Sequence, residues 1–197
     1  MIKNFIKLAD RLDSDGNHDE ASMIDEVISD IGADFFNDME IPHEEMLDYL
    51  ACLRMAQLYH QHAHWVSKGL PYYGDHLLFE RLYDNSISEV DNFAERAVGL
   101  SGDEAVCPMS VIKMVYKKMA DVLDGFDTTA HPDELIQYGL NVEKYLLIST
   151  KKLYEELKNN GKITMGLDDM LMEIYSAHET NVYLLQQRLK KIDKINR

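Results

Sequence analysis

Four long stretches of this chain carry apolar residues at three- and four-residue spacing, and this periodicity limits the fold more than any other feature. Such spacing places apolar side chains on one face of an α-helix, whereas the clean alternation expected of a half-buried strand is nearly absent. Prolines occur only where a helical pattern begins or ends, at Pro42, Pro71, Pro108 and Pro132. The chain is therefore predicted to be all-α.

The four stretches predict helices at 43–66 and 75–99, a third that begins at Pro132, and a fourth that follows the glycine-containing turn at 158–166. A long crossover with an extra helix near 109–124 separates the second from the third. One long crossover in that place is the ferritin-like arrangement of a four-helix bundle. We therefore predict a ferritin-like bundle domain at 43–197, preceded by an acidic helical hairpin extension at 1–42.

The charge distribution argues against a general nucleic-acid-binding function. The net charge is −15, and residues 1–45 hold 13 acidic but only 3 basic residues. Phosphate binding needs clustered Lys and Arg, and only the basic end at 188–197 offers them. DNA binding is therefore not expected, and the basic end is the single candidate for it.

The expected location is the cytoplasm. No apolar run approaches the roughly 18 residues of a membrane helix, and the N-terminus lacks a signal-peptide pattern. Two separated cysteines, Cys52 and Cys107, cannot build a disulfide framework, which favours a reducing compartment. We therefore expect no membrane partner.

Residues 60–96 hold the strongest candidates for chemistry. His76 with Glu80 and Asp91 with Glu95 are spaced four residues apart on the second helix, and His64 ends the first. At 100° per residue the four side chains of the second helix fall within about 100° of its circumference. Imidazoles with carboxylates are ligands that suit iron and similar divalent metals.

One chain alone cannot bring both pairs to one ion. Glu80 and Asp91 are separated by about 16 Å along a helix, whereas coordination bonds span only about 2 Å. A second copy approaching antiparallel in a C2 dimer would place the histidines of one chain opposite the acids of the other. The competing interpretation is that each pair is merely a solvated surface pair.

The motif HWVSKG, followed by H-x3-E and D-x3-E-R-A, closely resembles the signature of the Dps family, the ferritin-like miniferritins. The resemblance implies that the ferroxidase ligands come from two subunits. It also places Trp65 beside the site, where the ring is either a candidate electron donor or ordinary packing. The metal ligands that it implies are His64, His76, Glu80, Asp91 and Glu95.

Two positions depart from the family pattern. Glu80 stands where Asp is usual, which keeps the carboxylate but lengthens its reach, and Val66 replaces a usual Asn. The loss of a polar group near the ligands can alter metal affinity without abolishing the site.

The resemblance further implies a hollow dodecamer that takes up Fe(II) and oxidises it, preferably with hydrogen peroxide, at a site with room for one or two iron ions. Ferric mineral would be stored inside. The expected role is thus iron storage and protection against oxidative stress. The sequence leaves open the subunit number beyond a dimer, the oxidant, and the roles of 1–42 and 103–131.

Two further histidines are ambiguous. His60 lies one helical turn before His64, so it is either an auxiliary ligand or a hydrogen-bonded structural residue. His178 is interpreted as structural, because Tyr175 stands where a Glu-x-x-His ligand pair needs Glu.

Two other functions compete with the ferroxidase. The chain could be a non-catalytic ferritin-like assembly or interaction protein whose 1–42 hairpin recruits a partner. It could also be a dimetal enzyme with its site inside one bundle. That second function calls for Glu-x-x-His pairs on the second and fourth long helices, which the sequence does not show.

Overall fold

A computed structural model describes residues 2–37, 41–127 and 131–190, and within these ranges the chain contains helices and no strand. The prediction of an all-α chain is confirmed. The α-helices are α1 (Ile2–Ser14), α2 (His18–Asn37), α3 (His43–Val66), α4 (Tyr72–Ser101), α5 (Pro108–Val122), α6 (Pro132–Asn159) and α7 (Met165–Leu189). A short 3-10 helix at Asp103–Val106 precedes α5.

The chain divides into two compact units, residues 1–40 and 41–197. In the first unit α1 packs against α2. The turn between them contains Gly16, which adopts a positive φ of 81°, a conformation that suits a residue without Cβ.

The second unit is built on the four long helices α3, α4, α6 and α7. Helix α3 packs along both α4 and α6, α6 packs along α7, and the crossover helix α5 lies against α3. Large aromatic side chains fill the centre, because they bury much apolar area and can stack edge to face. Among the residues whose side chains the structure describes, the fully buried Tyr and Phe residues are Tyr49, Tyr59, Phe79 and Phe93.

Helix α4 differs from its prediction in two ways. It begins at Tyr72 and not at the predicted residue 75. Pro71 immediately precedes the first turn, where its missing N–H costs nothing. The spacing of the apolar residues of α4 also predicts that Ile87 faces the core, and here the structure differs. Ile87 is 44% exposed, whereas Ser86 is buried with its hydroxyl donating to the Leu82 carbonyl at 2.8 Å.

None of the helices in the described ranges combines the length and apolarity that a bilayer-spanning segment requires. Most of the basic end at 188–197, the candidate for DNA contact, lies outside the described residues.

Candidate metal centre

His64 and His76 form a reciprocal pair where the last turn of α3 meets the first turns of α4. The Nδ1–H of His64 donates to the His76 carbonyl at 3.1 Å, and the Nδ1–H of His76 donates to the His64 carbonyl at 3.0 Å. The two rings stack with centroids 3.9 Å apart and an interplanar angle of 21°. Since the carbonyl of His64 lies in the last turn of α3, it has no partner within its own helix, and the imidazole of His76 satisfies it.

This pairing fixes the tautomer of both rings. A carbonyl oxygen can only accept, so each Nδ1 carries the proton. In the neutral ring each Nε2 then keeps its lone pair for a metal ion. Histidine ligands of metals are commonly oriented in this way, with the second ring nitrogen donating to a backbone carbonyl.

The three predicted acidic ligands do not all join the His64–His76 pair within one chain. Glu80 lies one turn beyond His76 on α4 and is half-buried, whereas Asp91 and Glu95 are exposed. Because α4 is one continuous helix, about 16 Å along its axis separates Glu80 from Asp91. Within the described part of the chain, no group of three or more His, Cys, Asp or Glu side chains is arranged to hold a metal ion.

Two tyrosines flank the histidine pair. The Tyr72 ring stacks on His76 with centroids 5.2 Å apart, and the Tyr83 ring lies 5.4 Å from that of His64. The pKa of the Tyr83 hydroxyl is raised, mainly by the negative charge of the Asp84 carboxylate. Tyr72 and His76 are four residues apart and so share one face of α4. This spacing indicates their contact, which was not predicted from the sequence. Trp65, the predicted neighbour of the site, is 67% exposed.

His60 lies in the bundle core, in a different cluster. Its Nε2–H donates to Glu143 Oε1 at 2.7 Å, and its side chain is fully buried. Of the two interpretations of His60, this contact matches the hydrogen-bonded structural residue.

The same carboxylate connects His60 to His178. The Nδ1–H of His178 donates to Glu143 Oε2 at 2.5 Å, and its Nε2–H donates to Glu89 Oε2 at 3.0 Å. Burial opposes the charge on Glu143, but the imidazolium of His178 and the hydrogen bonds from His178 and His60 outweigh it and lower the pKa of Glu143 to about 2. Burial likewise opposes the charge on His178, and the carboxylates of Glu143 and Glu89 raise the pKa of His178 to about 10.

Sequence comparison shows that the chain is similar to a bacterial Dps protein. The chain is 25% identical over 129 residues to "DNA protection during starvation protein 2" of Bacillus anthracis, a match that covers 65% of this chain and 82% of the relative. No family model matches the chain.

Solved structures with the same fold include Dps proteins. Dps from Thermosynechococcus elongatus superposes with a TM-score of 0.65 at 20% identity, covering 78% of this chain and 96% of that structure. DpsC from Streptomyces coelicolor gives a TM-score of 0.67 at 18% identity, covering 78% and 86%. The chain thus has the ferritin-like four-helix-bundle fold of the Dps proteins and resembles that family in sequence.

Proposed function

We propose that this protein is a Dps-like ferroxidase that binds Fe(II) between two subunits, oxidises it and stores the ferric product in a hollow homo-oligomer. The observation that carries the proposal is the reciprocal His64–His76 pair, because the two rings are stacked and each keeps the lone pair of its Nε2 for a metal ion. Glu80, one turn further along α4, would add a carboxylate from the same chain.

Asp91 and Glu95 would come from a second copy of the chain. Their exposure leaves both carboxylates free to meet a partner, and the length of α4 prevents them from reaching the histidines of their own chain. A twofold axis would make two equivalent sites, each completed by the other subunit.

An apolar groove of about 520 Å³ beside these acids supports such a dimer. Val90 and Ala94, the neighbours of Asp91 and Glu95 in sequence, line it together with Leu58 of α3 and Ile112 and Tyr116 of α5. Large exposed apolar patches are uncommon on monomers and mark interaction surfaces. A second copy seated here would lie next to the two acids.

The chemistry requires a place for two ferrous ions and one oxidant. Two Fe(II) ions lose one electron each to one hydrogen peroxide molecule; with two waters the products are two FeO(OH) units and four protons. Neutral imidazole and carboxylate ligands hold Fe(II) and also tolerate Fe(III). The net charge of −15 is favourable for attracting the cation.

The test measures Fe(II) oxidation by absorbance in His76→Ala, in Asp91→Ala and in the two variants refolded together. Each variant alone should be nearly inactive. A mixed dimer contains one intact site, assembled from His76 of one chain and Asp91 of the other. Since half of the dimers in a random mixture are mixed, about a quarter of the parent activity should return.

The matched control mixes His64→Ala with His76→Ala. Both lesions lie on the same half of the site, so every site in the mixed dimer remains damaged and no activity should return. Full activity in either His76→Ala or Asp91→Ala, or recovery in the control mixture, would contradict the proposed shared site.

A further inference from the structure

A second polar cluster lies inside the bundle, away from the His64–His76 pair. It takes one residue from each long helix: His60 from α3, Glu89 from α4, Glu143 from α6 and His178 from α7. His60, Glu143 and His178 are almost completely inaccessible, and the Glu89 side chain is only 14% exposed.

Packing alone does not explain this cluster. Buried ion pairs are frequently replaced by apolar residues of similar volume without loss of stability, because desolvation offsets their attraction. Ionisable groups converging from four helices therefore suggest a role for their chemistry.

His178 has the arrangement of a metal-ligating histidine backed by a carboxylate. Its Nδ1–H donates to Glu143 at 2.5 Å, and Glu143 is itself held by His60 and, at 3.4 Å, by the amide of Asn181. This support fixes the ring so that the opposite nitrogen, Nε2, faces a second carboxylate. Carboxylate–histidine–metal arrangements orient the ligand and increase its basicity in the same way.

The distance between the outer pair suits a bound ion. His178 Nε2 and Glu89 Oε2 lie 3.0 Å apart. Two ligand atoms at right angles, each about 2.1 Å from a metal ion, are separated by about 3.0 Å. The separation of the two atoms thus matches that of a metal-bound pair, and an ion would replace the shared proton.

A cleft of about 470 Å³ between α4 and α7 gives access from solvent to Glu89. Three more carboxylates, those of Asp84, Asp169 and Glu173, line it together with one cation, Arg96. The excess of negative charge favours entry of a cation, and the polar lining leaves room for water ligands.

We propose that Glu89 and His178 bind a divalent transition-metal ion at the inner end of this cleft, with Glu143 as the positioning residue and water at the remaining coordination positions. The site lies within one chain and is independent of the proposed inter-subunit ferroxidase site. With two protein ligands, it binds more weakly than a centre that has three or four.

The experiment uses the full chain carrying His64→Ala and His76→Ala, which removes the histidines of the inter-subunit site. Equilibrium dialysis against Co²⁺, with visible absorbance of the bound ion, measures the remaining binding. We expect one saturable Co²⁺ per chain, and a tenfold or greater loss of affinity on adding Glu89→Gln. Glu143→Gln should also weaken binding at least tenfold, since it removes the group that orients His178.

Glu173→Gln is the matched control, because it removes a carboxylate from the same cleft and leaves the Glu89–His178 pair intact. Its affinity for Co²⁺ should differ from that of the double-alanine chain by less than threefold. Circular dichroism checks that each variant is folded. If Glu89→Gln does not fold, Glu89→Asp replaces it. This variant keeps the negative charge at residue 89 but moves the carboxylate away from His178, and it must weaken Co²⁺ binding. Absence of saturable Co²⁺ binding in the double-alanine chain, or unchanged binding in folded Glu89 variants, would overturn the proposal.

Discussion

Two histidines that lie one turn apart on the same helix have different kinds of hydrogen-bond partner. His60 and His64 both lie on α3, yet His60 donates to the buried carboxylate of Glu143, whereas His64 donates to a backbone carbonyl and keeps Nε2 free. The partner of each ring, rather than the residue type, determines whether it can act as a ligand. A single turn of helix thus separates a core contact from a proposed metal site.

The charged Glu143–His178 pair gives a pH-dependent contribution to stability in metal-free protein. The pKa of His178 is raised to about 10, so its contribution is fully present below its ordinary value of 6.5 and is lost as pH rises toward 10. The pKa of Glu143 is lowered to about 2, so its contribution is present above 4.5 and is lost as pH falls toward 2. Stabilisation is therefore greatest between pH 4.5 and 6.5.

Urea unfolding of the parent and of Glu143→Gln, both treated with chelator, measures this effect. The difference between their free energies of unfolding should shrink as pH rises from 6.5 toward 10. The control is Glu155→Gln, which removes an exposed partner of Lys151. Its free energy of unfolding should differ little from that of the parent at every pH in this range. A Glu143→Gln difference that stays constant over this range would contradict the assignment of charge to His178.

At the scale of the helices, Gly139 sets the close approach of α6 to the aromatic centre. A Cβ at this position would lie 3.1 Å from Phe79 and 3.5 Å from Tyr59, and both rings are fully buried. Gly139→Val should therefore lower the free energy of unfolding by about 2 kcal/mol through overpacking. Thermal unfolding followed by circular dichroism measures the change.

Gly99 of α4 provides the matched control, since a Cβ there meets nothing within 4 Å. Gly99→Val should change stability by less than about 0.5 kcal/mol, because Val and Gly differ little in helix propensity. Equal destabilisation by the two substitutions would show that backbone preference, and not contact with Phe79, explains the glycine at 139.

The sequence predicts helices well and the contacts between them poorly. Periodicity gave the bounds of α3 as 43–66 and located the crossover helix, because each pattern is local. The Glu143–His178 contact joins residues on different helices, and its formation depends on the rotation and register of each helix, which periodicity leaves undetermined. Ser86 and Ile87 show how a displacement of one residue alters which side chain is buried.

The candidate site was predictable only as far as a linear motif could describe it. The motif named His64 and His76, and the structure brings their rings together through bonds that only the α3–α4 connection allows. The flanking ring of Tyr83 carries no such signal, because its spacing matches that of any core residue. The contribution of Asp91 and Glu95 depends on a second chain and stays a prediction.

At the scale of the whole molecule, two copies must meet for the proposed ferroxidase to work. The apolar groove beside Asp91 places the expected contact on α3, α4 and α5. Because the crossover helix α5 contributes Ile112 and Tyr116 to that groove, the long crossover would belong to the interface as well as to the connection between α4 and α6. Assembly and iron oxidation should therefore be lost together.

Ile112→Glu tests this link, since Ile112 is 62% exposed in the single chain and can be replaced without disturbing the core. A buried charge opposite apolar side chains should raise the dimer dissociation constant by tenfold or more, and Fe(II) oxidation should fall in proportion to the loss of dimer. Analytical ultracentrifugation over a concentration series and the absorbance assay give the two quantities. Ile148→Glu, at a 68% exposed apolar position of α6 outside the groove, should leave both unchanged. Parent-like oxidation by a monomeric Ile112→Glu protein would show that one chain suffices, and the shared site would then be wrong.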